Sequence, residues 1–207
     1  MRILKIFVFL FTAVAFGQNT PLTNAEQASF MKEVAAKANS LKSLSSDFTQ
    51  TKHIQLMEDE AVSKGKLFYK APNVLKWEYA TPYNYKILFR ENQLHINDDG
   101  DKSVTSLRAN KLMEKLVALI SGSVNGKLVA DHDNFDVSFS RNGKTVSAFI
   151  IPKDPSIKKM FHEIIMVFDH ENILNSVRLM EEGGDYTHID FKNIKINTQL
   201  DDSVFEN

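Results

Sequence analysis

The sequence predicts one mainly β domain in which antiparallel strands are accompanied by two amphipathic helices. Three observations carry this. Short runs with apolar residues at every second position fill residues 47–97 and most of the chain after residue 134, and turn residues separate them. Only residues 23–44 and 107–121 carry the three- and four-residue apolar spacing of a helix. Most of the strand runs follow one another through short turns with no helix between, which favours hairpins over βαβ units. The chain has no cysteine, so its stability has to come from a packed core. A domain of about 190 residues can bury one.

The first element is a leader. Arg2 and Lys5 precede an apolar run from Ile6 to Phe16, and Ala15 and Gly17 place small residues where a signal peptidase reads them. This pattern predicts cleavage after Gly17 and a mature domain over residues 18–207. The run is too short for a spanning helix, which needs roughly 20 residues. In the first helix, Thr23 and Glu26 form a capping box, and Phe30, Val34, Ala38 and Leu41 make a single stripe. The serines at 43, 45 and 46 are expected to end it.

The strand region that follows contains GKLFYKAPNVLKWEY, residues 65–79, with the only tryptophan. Leu75, Trp77 and Tyr79 alternate, so in a strand they share one face and leave Lys76 and Glu78 on a water-facing side. Pro82 stops this strand. Residues 86–90 and 93–97 form the next pair, and a turn over 98–101 follows. The second helix, residues 107–121, places Leu112, Met113, Leu116, Leu119 and Ile120 on one flank, with Gly122 at its end. Alternation returns in Phe135-Val137-Phe139, the Asn142-Gly143 hairpin turn, Val146-Ala148-Ile150, Ile164-Met166-Phe168, Val177-Leu179 and Ile189-Phe191.

Charge and motifs narrow the function. Cleaving the leader takes the 25 basic residues to 23 against 26 acidic, a net charge of −3, which argues against a nucleic-acid partner. The sequence has no Gly-x-Ser-x-Gly elbow, no phosphate loop and no His-Glu-x-x-His helix. The six histidines lack metal-ligand spacing, and Asp98, Asp99 and Asp101 lack the spacing of a calcium loop. No catalytic residue, metal or cofactor is expected.

A family pattern covers residues 30–97 most specifically. Phe48-Thr49-Gln50 at a strand entry is followed by Gly65-Lys66-Leu67, Pro72-Asn73, Trp77 and Pro82. This order resembles the "Phe-x-Gln … Gly-x-Leu … Pro-Asn … Trp … Pro" signature of the LolA family of lipoprotein carriers. The resemblance implies a half-open, incomplete antiparallel β-barrel whose concave side is covered by a helical lid. It implies a monomeric periplasmic carrier of acylated lipoproteins, loaded by an inner-membrane lipoprotein-release ABC transporter and unloaded at an outer-membrane acceptor. A carrier or sensor of another periplasmic lipid or glycolipid is the alternative. At one position the chain departs from the family, which has an arginine before the Pro-Asn turn that fastens the lid. Here that residue is Ala71, so apolar packing or another cation, Arg90 or Arg108, has to hold the lid.

The candidate lining follows from the stripes. The first helix offers Phe30, Val34 and Leu41, and the strands offer Leu67, Tyr69, Leu75, Trp77, Phe89 and Ile96. The second helix offers Met113, Leu116 and Ile120. Leu75 also falls where the family has a rim residue that meets the release complex, so Leu75→Glu is expected to spare folding and impair handover. Any of these side chains could equally be ordinary core.

Overall fold

The computed structural model describes residues 19–106 and 127–206. The predicted second helix and Arg108 lie outside these residues, as does the leader. The twelve strands among the described residues pair antiparallel in one sheet. They are β1 (Thr20–Pro21), β2 (Ser43–His53), β3 (Ala61–Lys70), β4 (Val74–Thr81), β5 (Tyr85–Arg90) and β6 (Gln93–Asp98). Next come β7 (Asp101–Ser106), β8 (Phe135–Asn142), β9 (Thr145–Pro152), β10 (Glu163–Phe168), β11 (Leu174–Met180) and β12 (Tyr186–Ile196). Their spatial order is β1-β8-β9-β10-β11-β12-β2-β3-β4-β5-β6-β7. The chain's two runs of hairpins therefore join in the middle, where β12 pairs with β2. The outer strands β1 and β7 do not pair with each other among the described residues, so the barrel stays open.

Helix α1 (Asn24–Ser40) begins as the sequence predicts. Thr23 accepts from the Glu26 amide, and the Glu26 carboxylate accepts from the Thr23 backbone N–H at 2.9 Å. These bonds hold the Glu26 carboxyl below its ordinary range. The end of the helix differs from the prediction. The helix stops at Ser40, and Ser43 opens β2 instead of trailing the helix. Leu41 continues the apolar stripe in an extended conformation, so the stripe outlasts the helix by one residue.

The hairpin turns are local and were legible. Asp99 and Gly100 have φ of 49° and 104° between β6 and β7, a pairing that suits the twist of a two-residue hairpin. Gly143, with φ 57°, leads the two-residue loop from β8 to β9. A short helix α2 (Pro155–Lys158) is capped by Asp154 and buries Ile157. The 3-10 turn Lys127–Ala130 lies against α1 and buries Leu128 and Val129.

One face of the sheet carries nearly all the apolar burial, and α1 lies on that face. Phe30 meets Phe139 of β8 and Phe168 of β10 edge-on, with ring centroids 5.4 and 5.3 Å apart. The opposite face holds a correction to the sequence reading. Lys76 does not sit in water; it is only 5% exposed. Its ammonium donates to the carbonyls of Val204 and Glu206 at 2.8 and 3.0 Å and lies 3.3 Å from the Glu78 carboxylate. Phe205, between those two carbonyls, is buried in the 3-10 turn Asp202–Phe205. The C-terminal segment is thus tied across the outer face of β4.

Candidate functional site

The inner wall is built from cross-strand pairs that the register places side by side. Leu67 of β3 faces Trp77 of β4, which faces Ile87 of β5, which faces Ile96 of β6. One step along, Tyr69, Leu75, Phe89 and Leu94 form a second row. Such pairs are the unit of packing on a sheet face. Across the joint to β2 and β12, Trp77 packs on Phe48 at 4.4 Å and on Phe191 at 6.2 Å. Tyr79 closes this aromatic group, edge-on to Phe48 at 5.2 Å, and donates from its hydroxyl to Gln50 Oε1 at 3.0 Å. Burial pushes the Tyr79 phenol above its ordinary value, with Tyr83 adding to the shift.

The predicted lining residues on α1 and on β3 to β6 all lie on this inner side. Phe30, Val34, Leu41, Leu67, Tyr69, Leu75 and Trp77 are buried, and Phe89 and Ile96 are half-buried. Met113, Leu116 and Ile120 lie outside the described residues. Leu75 is 5% exposed, so Leu75→Glu would strike folding before any handover. Among the described residues the buried Trp77 indole N–H has no hydrogen-bond partner; it lies near the Tyr79 hydroxyl, outside bonding geometry.

A cleft opens where the C-terminal half of α1 crosses the ends of β2, β10 and β12. Val34, Ala38 and Leu41 form its roof, and Leu44, Leu67 and Phe191 part of its floor. Sequence reasoning missed Phe168, Leu174, Ile194 and Ile196, which complete it. Phe168 stood in an alternating run and was legible as strand. Ile194 lies within a bulge between Lys192 and Lys195 and Ile196 follows it; Asn193, with φ 54°, shifts the alternation there. The cleft's free room is ≈ 40 Å³, space for a few water molecules at about 10–15 Å³ each. It is too narrow to take an acyl chain as it stands. Beyond the cleft, Ile87, Phe89 and Ile96 carry the apolar wall onward while remaining half-buried.

Ala71 takes no side-chain part in holding α1. Ala71 is exposed and bonds only through its backbone, to the Lys42 carbonyl at 2.8 Å. Lys70 turns to the outer face and pairs with Asp202, and Arg90 is exposed at the end of β5. Two asparagines hold the helix instead. Asn172, in the β10–β11 turn, donates to Glu33 Oε2 at 2.7 Å. Asn197, past β12, accepts from the Lys42 amide at 2.7 Å and donates to the Ser40 carbonyl at 3.0 Å. At the other end, the Leu22 amide donates to the Phe139 carbonyl and anchors the start of α1 to β8.

Comparison with known proteins agrees with this architecture. An outer-membrane lipoprotein carrier protein of Chromohalobacter salexigens is 26% identical over 202 residues, covering 93% of this chain and 90% of that protein. One from Azotobacter vinelandii is 23% identical over 210 residues, covering 100% and 94%. Among solved structures, Mycobacterium tuberculosis lipoprotein LppX superposes with a TM-score of 0.51 at 10% identity, covering 86% of this chain and 99% of that one. Pseudomonas aeruginosa MucB, solved with MucA, gives a TM-score of 0.51 at 8% identity, covering 87% and 60%. These two likenesses are of fold. Residues 39–207 match the family described as outer membrane lipoprotein carrier protein LolA, and this chain belongs to that family.

Proposed function

We propose that this protein is a periplasmic carrier that shields the acyl chains of lipoproteins against its inner wall and ferries them from the inner to the outer membrane. The observation that carries the reading is the half-buried apolar wall of Ile87, Phe89 and Ile96, continuous with the cleft under α1. Each CH₂ taken from water gains about 0.8 kcal/mol, so a carrier needs a long apolar face more than any reactive group. Family membership supports the same reading. An open barrel roofed by a helix held through a few polar contacts suits repeated loading and release. The leader, cleaved after Gly17, would deliver a monomer to the periplasm. An inner-membrane lipoprotein-release transporter would load it, and an acceptor at the outer membrane would receive the cargo. No chemical step is required of the protein, so it acts without catalysis.

The test is depletion of the protein in its native host, followed by fractionation of lipoproteins between the two membranes. Lipoproteins stranded at the inner membrane are the expected result, and unchanged sorting would overturn the proposal. Mass spectrometry of an extract of the purified protein should also recover acylated peptide. A different lipid in that extract, with normal sorting, would assign the chamber to another cargo.

A further inference from the structure

We propose that the cleft beneath the C-terminal half of α1 prefers amphiphiles with an anionic head group, and that Lys37 contacts that head. This rests on the reading of the chamber as an acyl-chain site and specifies the head group that site favours. Lys37 follows Val34 by three residues and precedes Leu41 by four, so it shares the helical face that roofs the cleft. It is half-buried, which puts its stem along the apolar lining and its ammonium at the mouth. Among the described residues the ammonium has no hydrogen-bond or ion-pair partner.

The other polar groups at the cleft are engaged. The Ser46 hydroxyl donates to the Lys192 carbonyl at 2.9 Å, and the Asn172 amide donates to Glu33. Glu33, one turn before Lys37, would be its natural partner on the helix. Both Glu33 oxygens accept from elsewhere, from Ser29 at 3.0 Å and from Asn172 at 2.7 Å. Among the described residues, Lys37 is the one charged side chain of the lining, and it stands without an ion pair over an apolar floor. A carboxylate or phosphate on a hydrocarbon chain complements both features at once. A lysine in the last turn also complements the helix dipole, and that role alone would give no preference between head groups.

The test compares oleate, oleyl alcohol and oleoyl lysophosphatidate, with inorganic phosphate as the anion without a chain. Trp77 is the only tryptophan, and its ring lies 6.2 Å from Phe191 of the cleft floor, so its emission reports binding. The wild type should bind oleate and the lysophosphatidate about tenfold more tightly than oleyl alcohol, the scale of one charged contact. Lys37→Gln should bring that ratio close to one, and Lys37→Arg should restore it. Equal binding of oleate and oleyl alcohol by the wild type would overturn the head-group proposal and leave the acyl-site reading standing. So would a preference that Lys37→Gln leaves intact. Displacement of oleyl alcohol by phosphate alone would overturn it in favour of a simple anion site. Failure of every chain to bind would overturn both readings.

Discussion

Gly65 is where the aromatic wall and the strand backbone come closest, and Gly65→Ala tests the packing derived for it. Gly65 sits in β3 opposite Phe48 of β2 and Tyr79 of β4, next to a shift in the β3–β4 register. A Cβ added there would lie 1.9 Å from the Glu78 carbonyl oxygen and 2.7 Å from Phe48 Cζ. The first contact is with backbone, so no rotamer change relieves it. The second would force Phe48 to shift, disturbing its packing on Trp77, whose ring centroid is 4.4 Å off. Overpacking of this kind costs about 1–3 kcal/mol. The backbone clash argues for the upper end, less about 0.4–1 kcal/mol gained by restricting the unfolded chain. The net expected loss is about 2 kcal/mol. With a urea slope of about 2 kcal/mol/M, the midpoint should fall by about 1 M. Trp77 emission and far-ultraviolet circular dichroism should report the same transition. Adding Phe48→Leu should recover only part of the loss, since the carbonyl contact remains. A Gly65→Ala protein within about 0.5 kcal/mol of wild type, the ordinary scatter of harmless substitutions, would refute the argument.

Three further perturbations probe other parts of the structure. Asn197→Ala removes the side chain that bonds Ser40 and Lys42 from a residue at φ 56°, and should cost about 1–2 kcal/mol. Asn197→Gly should recover only the backbone share, and a neutral result for both in urea unfolding would show that the contact does not hold α1. Phe205→Ala should release the C-terminal segment, seen as lost hydrogen-exchange protection around residues 202–206 while the sheet amides stay protected; unchanged protection would refute the anchoring role. Burial raises the Tyr79 phenol above 10.0, so the unfolded chain ionises first. The stability this contributes is full below pH 10 and is lost as pH rises through the raised folded value. Tyr79→Phe should therefore lose less stability than wild type between neutral and strongly alkaline pH, and equal losses in thermal melts would refute the assignment.

What was legible in the sequence was what local chemistry decides. The capping box at Thr23 and Glu26 spans four residues, and the glycine turns need two. The alternation of Leu75, Trp77 and Tyr79 set their common face, and the register then placed Leu67 and Ile87 beside Trp77, and Ile96 beside Ile87. What escaped was set by residues far apart in the chain. Lys76 reads as a solvated strand residue because the carbonyls that bury it come 128 and 130 positions later. Ser43 and Ser46 read as the end of a helix because their partners, the Thr198 and Lys192 carbonyls, lie on the far side of the sequence. The polar contacts that hold α1 were equally hidden. Asn172 and Asn197 look like turn residues, which both are, with φ of 60° and 56°. Only the fold brings their side chains against α1.

These two asparagines also bear on how a chamber of this kind would open. On the proposed reading, cargo must part α1 from the sheet, since the room beneath it is ≈ 40 Å³. The resistance is uneven along the helix. Its first half is anchored by Phe30 between Phe139 and Phe168, and truncating such a ring costs about 3–5 kcal/mol. Its second half is latched to the β10–β11 turn by the bond from Asn172 to Glu33, where a hydrogen bond to a charged group is worth about 1.5–3 kcal/mol. Asn197 adds about 1–2 kcal/mol at Ser40 and Lys42. At about 0.8 kcal/mol per CH₂, burial of three to six methylenes offsets the two latches. Phe30 does not line the cleft, so a chain entering there leaves that anchor in place. The C-terminal half of α1 should therefore yield first and pivot about Phe30, opening the cleft at Lys37 and leading a chain inward along Leu67 and Trp77 towards the half-buried wall at Ile87 and Ile96.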